Sequence, residues 1–408
     1  MNKRILYLQY TNPAGYPPLE HSSRIFAREG WHVLFLGTGA LGADALCFPP
    51  HERIEVRRMP FCPGGWRQKL HYLRFCLWVL GWTLRWRPRW VYASDPLSCP
   101  IALSLSYLPG LRVIYHEHDS PKSEVRGRRL EVKVQRSEIR GQGPAGSRFM
   151  RSVLWTRRQV TKRALLCVLP NERRAERFGE KPGRPIVNGH QSTAVVWNCP
   201  SVDEISEPRA PHDGSGLWVL YHGSIVPSRL PLTVFEALAI LPEAIKLCIV
   251  GYETVGHLGY MEELRENAER LGITGRVNFV GTVPQRSDLL RWCQKCDVGL
   301  AFIPKGSDDI NEQAMTGASN KPFDYAACGL ALLVSDLPDW RQMYVDAGYG
   351  LACDAVNPES IAAALHWFLE HPSEMRAMGE RGRRRIAAEW NYERQFSPVF
   401  ELISSGLQ

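Results

Sequence analysis

The run Ile5-Leu6-Tyr7-Leu8-Gln9-Tyr10 decides the fold of the first half of the chain. Consecutive apolar residues without strict alternation suit a strand covered on both faces, as in a parallel sheet. A loop rich in Pro and Gly follows at residues 11–19, then a helix from about 20 to 28, then a second apolar run at 31–37. Strand, turn, helix, strand is the opening of a doubly wound α/β domain. Such a domain takes ligands outside the carboxyl ends of its strands, which is where the 11–19 loop falls. Further strands are expected at 90–93, 113–116 and 165–169, and the segment 195–200 closes this half.

The second half repeats the pattern. Strands are expected at 217–222, 246–250, 277–280, 298–303 and 331–335, alternating with helices at 232–241, 261–271, 285–295 and 321–327. The 261–271 helix shows its type most plainly, with Met261, Leu264, Ala268 and Leu271 at three- and four-residue steps. Helices near 359–370, 374–389 and 392–404 end the chain. At 408 residues the protein exceeds what one core usually supports. The expected domains are 1–205 and 206–390, joined by a linker at 207–216, with a terminal helix in 391–408.

The formal charge of +8 is unevenly placed: residues 122–184 hold 18 Lys/Arg against 6 Glu and no Asp. Such a field attracts a phosphate-bearing substrate, a polyanion or an anionic membrane, or it is a solvated face. No zinc finger, recognition helix or RNA-binding signature accompanies it, which argues against nucleic acid. The eleven Cys are scattered; Cys293 and Cys296 form one Cys-x-x-Cys spacing with no second pair to complete a zinc site. They read as reduced thiols of a cytoplasmic protein, and the charged start before a six-residue strand is too short for a signal peptide. Residues 69–86 hold a core, 75–82, that is apolar on every face and edged by Arg74, Arg85, Arg87 and Arg89. They suit either an interfacial helix in the headgroup layer or a buried domain helix, and are too short and basic for a confident span.

Chemistry concentrates at Ser319-Asn320-Lys321-Pro322-Phe323-Asp324-Tyr325-Ala326-Ala327-Cys328-Gly329. A polar loop enters a helix whose unpaired first N–H groups can seat a phosphate, with Lys321 adding a mobile charge. Asp324 sits one turn in, where a carboxylate can accept from ribose hydroxyls. An ordinary capped helix has the same pattern.

Four segments in order make the resemblance specific. They are His222-Gly223-Ser224 with Arg229, Val277-Asn278-Phe279-Val280-Gly281-Thr282-Val283, Cys296-Asp297-Val298-Gly299-Leu300, and Asn320-Lys321-Pro322-Phe323-Asp324-Tyr325 with Gly329. Together they resemble the nucleotide-sugar domain of the retaining glycosyltransferase family 4, well over 217–390 and more weakly before it. The resemblance implies the GT-B fold, two Rossmann-like domains facing across a cleft. It implies a donor site of Gly223, Ser224, Arg229, Gly281, Thr282, Asn320, Lys321 and Asp324, with Gly15 near the donor phosphates. Arg229 and Lys321 would offset charge on the leaving phosphate, and Glu117, His118 and Asp119, after the 113–116 strand, would orient the acceptor hydroxyl or take its proton.

Two departures stand out. Ser224 replaces the Arg usual after the phosphate-loop glycine, and Thr316 falls where the family's first glutamate would be. The resemblance implies transfer of a sugar, from a UDP-linked donor first and a GDP-linked one second, to a glycan or polyprenyl-diphosphate-linked acceptor in polysaccharide or lipopolysaccharide assembly. It implies no metal and no cofactor beyond the nucleotide sugar. Basic and aromatic segments in the first half add a possible anionic membrane surface. The alternatives are a nucleotide-sugar epimerase on the same fold and a non-catalytic nucleotide-sugar or glycan-binding protein.

Overall fold

The structure of the protein, a computed structural model, describes residues 3–121, 148–178, 192–208 and 216–406. Residues 122–147 of the stretch 121–150, whose few apolar residues and several glycines predict a loop or frayed helix, and most of the linker expected at 207–216 lie outside the described residues. So does much of the basic 122–184 segment.

Two parallel sheets carry the chain. The first contains β1 (Arg4–Leu8), β2 (His32–Thr38), β3 (Ile54–Met59), β4 (Trp90–Ser94), β5 (Arg112–His116), β6 (Leu166–Leu169) and β7 (Ser192–Val195), in the order β3-β2-β1-β4-β5-β6-β7. The second contains β8 (Leu217–Ile225), β9 (Ile245–Glu253), β10 (Val277–Gly281), β11 (Val298–Ala301), β12 (Ala331–Ser335) and β13 (Gly350–Cys353), in the order β10-β9-β8-β11-β12-β13. Strand order reverses between β1 and β4 and between β8 and β11. Those are the crevices at which open α/β sheets hold ligands. This is the GT-B architecture.

Helices cover both faces of each sheet, which is why the strands read as unbroken apolar runs. In the first half, Ile5 and Tyr7 point to a core shared with Phe26 and Phe35, while Leu6 and Leu8 point to one shared with Phe75 and Val79. The first core lies under α1 (Pro17–Arg28), and the second under α2 (Trp66–Trp86), α3 (Cys99–Leu105) and α4 (Arg148–Arg163). A short α5 (Glu172–Arg177) starts at Asn171, whose side chain accepts from the Arg174 amide. In the second half come α6 (Thr233–Ala239), α7 (Tyr260–Arg270), α8 (Arg286–Cys293), α9 (Ile310–Gln313), α10 (Asn320–Ala327), α11 (Pro338–Trp340), α12 (Pro358–Glu370) and α13 (Pro372–Ala388). Asn357 caps α12 with Pro358 in its first turn. The last helix, α14 (Tyr392–Ser405), returns to the first sheet, where Phe396 meets Phe26 edge-on at 5.7 Å.

Three differences from the sequence expectation have physical causes. Strand β3 was not foreseen because it is an edge strand, largely exposed and rich in charge. A strand not foreseen, β7, occupies Ser192–Val195 ahead of the segment expected to close the first half, and the Trp197 segment beyond it crosses toward the second half. Helix α2 is neither wholly core nor wholly bare. It buries Tyr72, Phe75, Val79 and Thr83 and exposes the opposite stripe. No described helix is long and apolar enough to cross a membrane.

Candidate functional site

The carboxyl ends of β1, β4 and β5 bring Gln9, Asp95 and His118 to one wall of the cleft. Asp95 has φ 63° and ψ 163°, a conformation that costs a non-glycine residue about 1–3 kcal/mol and persists only when the surroundings enforce it. Gln9 Nε2 donates to Asp95 Oδ2 at 3.0 Å, and the His118 amide donates to Oδ1 at 2.9 Å. Burial, reinforced by the nearby Asp119 carboxylate, pushes Asp95 up to about 7 against the pull of those two hydrogen bonds. The His118 ring is buried, with Nε2 3.3 Å from Ser94 Oγ and the His116 ring 3.9 Å away. Burial and the Arg174 charge push it down to about 3, so this imidazole is neutral at ordinary pH. Its Nδ1 has no hydrogen-bond partner among the described residues.

Glu117 departs from its expected role. Period-two alternation turns it toward α4, where Arg157 Nε and Nη2 donate to its two oxygens at 2.5 and 2.8 Å and the Tyr115 hydroxyl donates at 2.6 Å. Both oxygens are occupied by a buried cation, so Glu117 braces the wall rather than facing the cleft. Asp119 is exposed and accepts from Arg174 Nη1 at 3.4 Å.

Arg174 ties the two halves together. Its guanidinium donates to the carbonyl of His118 on one side, and to those of Asn311 at 3.1 Å and Ala314 at 3.3 Å on the other. Asn171 Nδ2 adds bonds of 2.8 Å to the carbonyls of Ala314 and Thr316. The Thr316 hydroxyl is turned to Asp339, at 2.7 Å.

On the opposite wall, β8 ends in His222-Gly223-Ser224. Gly223 has φ 106°, and a Cβ there would stand 3.3 Å from Lys321 Nζ. A glycine at this turn therefore gives both the left-handed backbone and the room for the lysine. Lys321 lies in the first turn of α10, which has no side-chain cap hydrogen bond, and Asn320 opens the helix. Arg229 stands beside Glu312 at 3.6 Å. Burial and the Arg229 charge push Lys321 down to about 7, with Asp324 opposing. Gly281, φ 81°, closes β10, and the Thr282 hydroxyl donates to the Gly251 carbonyl at 3.4 Å. From the first half, a Cβ on Gly15 would stand 3.9 Å from the Tyr252 hydroxyl, and the Cys47 amide donates to Pro284 O at 2.9 Å. The walls therefore meet at this end.

Asp324 sits deeper than the sequence suggests. It is buried, and both its oxygens accept from Arg286, at 2.5 and 3.2 Å. Arg286 also donates to Glu204 at 2.7 and 3.1 Å, and His21 Nε2 lies 2.9 Å from Glu204. Burial raises Asp324 while Arg286 pulls it back. For Glu204 burial also raises, but Arg286 and His21 prevail and hold it well below the usual carboxylate range. His222 lies 3.4 Å from Asp324; burial pushes it well below its ordinary value, so it is neutral. An Asp324 carboxylate free for a sugar hydroxyl was expected; an ion-paired one is found.

The structure thus brings Gly223, Ser224, Arg229, Lys321 and Asn320 together, places Gly281 and Thr282 at the same sheet edge, and sets His118, Asp119 and Gly15 across the cleft. Sequence reasoning missed Gln9, Asp95, Arg174 and Arg286. Asp95-Pro96 directly after an apolar run was a readable strand-end signal for the second of these; Arg286 had none. Among the described residues, no cluster of three or more His, Cys, Asp or Glu is gathered as a metal-ligand set.

Comparison with known proteins agrees with this geometry. A glycosyl transferase 4-like domain model matches residues 19–188, and a glycosyl transferase-like model matches residues 233–400. A lipopolysaccharide core biosynthesis mannosyltransferase from Rhizobium leguminosarum is 23% identical over 176 residues, 43% of this chain. The match spans 46% of that relative's length, about half. Sucrose-phosphate synthase from Thermosynechococcus elongatus superposes with a TM-score of 0.67 at 16% identity, covering 99% of both chains. The Anabaena protein HepE in complex with UDP-glucose superposes with a TM-score of 0.66 at 14% identity, covering 98% of this chain and 99% of that one.

Proposed function

We propose that this chain, which has the GT-B fold and is related to the glycosyl transferase 4-like and glycosyl transferase-like models in its two halves, moves a sugar, with retention, from a UDP-linked donor to a glycan or lipid-linked acceptor. The observation that carries the reading is Lys321 Nζ set against Gly223 beside Arg229, facing Asp95 and His118 across the cleft. The two cations and the first amides of α10 would hold the diphosphate and offset the charge that develops on it as the sugar departs. Gly281 and Thr282 border the space for the nucleoside. UDP is favoured because solved structures of similar fold are described with UDP or UDP-glucose bound.

On the facing wall, Asp95 can accept from a sugar hydroxyl and so orient the acceptor, with the buried, neutral His118 ring beside it. Asp119 contributes charge at the rim, and Glu117 keeps the strand end in place. The eleven cysteines, none of them in a disulfide, favour a reducing compartment, hence the cytoplasm, for this activity. Polysaccharide or lipopolysaccharide assembly is the setting in which such an acceptor is met.

Ligand-observed NMR of the purified chain against UDP, GDP and their common sugars tests the donor site. Selective binding of UDP is expected; no binding of any nucleotide by folded protein would leave the non-catalytic reading in place. Asp95→Asn is expected to lower kcat by about 100-fold, the scale of a positioned acid–base group, with UDP affinity unchanged. Equal loss of UDP affinity would remove Asp95 from the acceptor side.

The pH profile of kcat/KM follows from the same groups. Asp95 can draw the acceptor hydroxyl's proton only when ionised, so activity rises as pH climbs through about 7. Lys321 binds diphosphate only when protonated, so activity falls as pH climbs past about 7. A narrow bell centred near neutrality is therefore expected.

A further inference from the structure

Trp66, Leu70, Leu73, Leu77 and Leu84 are each more than half exposed on the outer side of α2. They recur at steps of four, three, four and seven, forming one stripe about 27 Å long at 1.5 Å per residue. Single exposed apolar residues are ordinary, but four leucines and a tryptophan aligned on one helix mark an interaction face. The helix contains no Asp or Glu. Its Arg67, Lys69, Arg74 and Arg85 edge the stripe, and among the described residues no carboxylate pairs with them. Arg67 and Arg85 lie 5.6 and 6.0 Å from the Trp66 and Trp82 rings, so their stems run along apolar surface while their charges reach outward. The adjoining edge strand β3 adds Arg57 and Arg58, each beside a carboxylate.

We propose that this stripe docks the protein on an anionic lipid bilayer, with Trp66 and the leucines at the acyl–headgroup boundary and the four cations on lipid phosphates. The charge pattern selects this occupant. A second copy would set one cationic face against another, whereas an anionic surface complements every one of the four. A single straight helix also offers a smooth ridge without the pockets that hold a protein's side chains. The first turns of α2 adjoin the cleft. The Tyr10 hydroxyl is 2.9 Å from His71 Nδ1, and the Tyr72 hydroxyl donates at 2.7 Å to Leu97 O, two residues beyond Asp95. Docking would therefore bring the cleft mouth to the lipid surface. That consequence, an acceptor carried in the same bilayer, rests on the transferase reading; the docking itself does not.

Co-sedimentation of the full chain with phosphatidylcholine vesicles, with and without phosphatidylglycerol, tests the proposal. Binding to the anionic vesicles at least about tenfold above the neutral ones, weakening with salt, is expected. The exposed double change Leu73→Glu and Leu77→Glu should lower that binding at least about tenfold while melting and UDP binding stay as in the parent. Absence of preferential binding by the parent, or undiminished binding by the variant, overturns the proposal. A parent that is dimeric in solution, is split by the double change and ignores vesicles overturns it in favour of a contact between copies. Capture by an acidic protein partner without vesicle binding overturns it as well. Vesicle binding by a protein that binds no nucleotide supports docking and counts only against the transferase reading.

Discussion

Arg286→Met is expected to destabilise the protein by about 3–5 kcal/mol, the cost of removing one partner from a buried ion-paired group. Arg286 alone supplies hydrogen bonds from a permanent cation to both Asp324 and Glu204. Without it two buried carboxylates face each other, Glu204 keeping the Ser201 amide at 3.0 Å and His21, and Asp324 keeping the neutral His222. The strain falls where three segments join: α1, the crossing at Asp203 and Glu204, and the donor half. Thermal or urea unfolding would show the loss, and adding Asp324→Asn and Glu204→Gln to Arg286→Met should restore much of it, because the uncompensated charges are gone. Melting of Arg286→Met at the parent temperature would mean that the network is not stabilising.

Lys321→Met should leave the fold intact and lower kcat by about 10²–10³, equivalent to about 2.7–4 kcal/mol of lost charge stabilisation on the leaving phosphate. Methionine keeps the unbranched stem and removes only the charge, so packing beside Gly223 and Tyr221 is preserved. Lys321→Arg separates charge from titration. An arginine stays protonated, so any remaining activity should lose the alkaline fall near pH 7. Steady-state transfer across pH measures both. A Lys321→Met enzyme within about threefold of the parent would place the leaving-group charge on Arg229 and the α10 amides alone.

Much of the fold was legible because its signals are local. A strand covered on both sides must be apolar along its length, and Ile5–Leu8, 246–250 and 331–335 read so. Helix faces repeat at three and four residues, as at Leu264, Ala268 and Leu271. The lysine at 321 was visible because a helix start has residue preferences, and the glycine at 223 because its segment resembles the family's phosphate loop. Strand β3 escaped because an edge strand with exposed charge carries no such signature; α2 was read as a helix, but its buried side was not, because apolar residues surround its middle turns.

The sequence by itself therefore determined two Rossmann-like halves, the order of most of their strands and helices, and the helix start at residues 319–321. Only the tertiary structure decided that Asp324 is bound by Arg286, that Glu117 turns to Arg157, and that Asp95 and His118 share one wall. It also decided which side of α2 is left bare. Periodicity records whether a position wants burial, a property of the nearest few residues. The partner of a charge, and the face that remains uncovered, depend on which distant segments the sheets bring together, as with Arg174 and the carbonyls of Asn311 and Ala314.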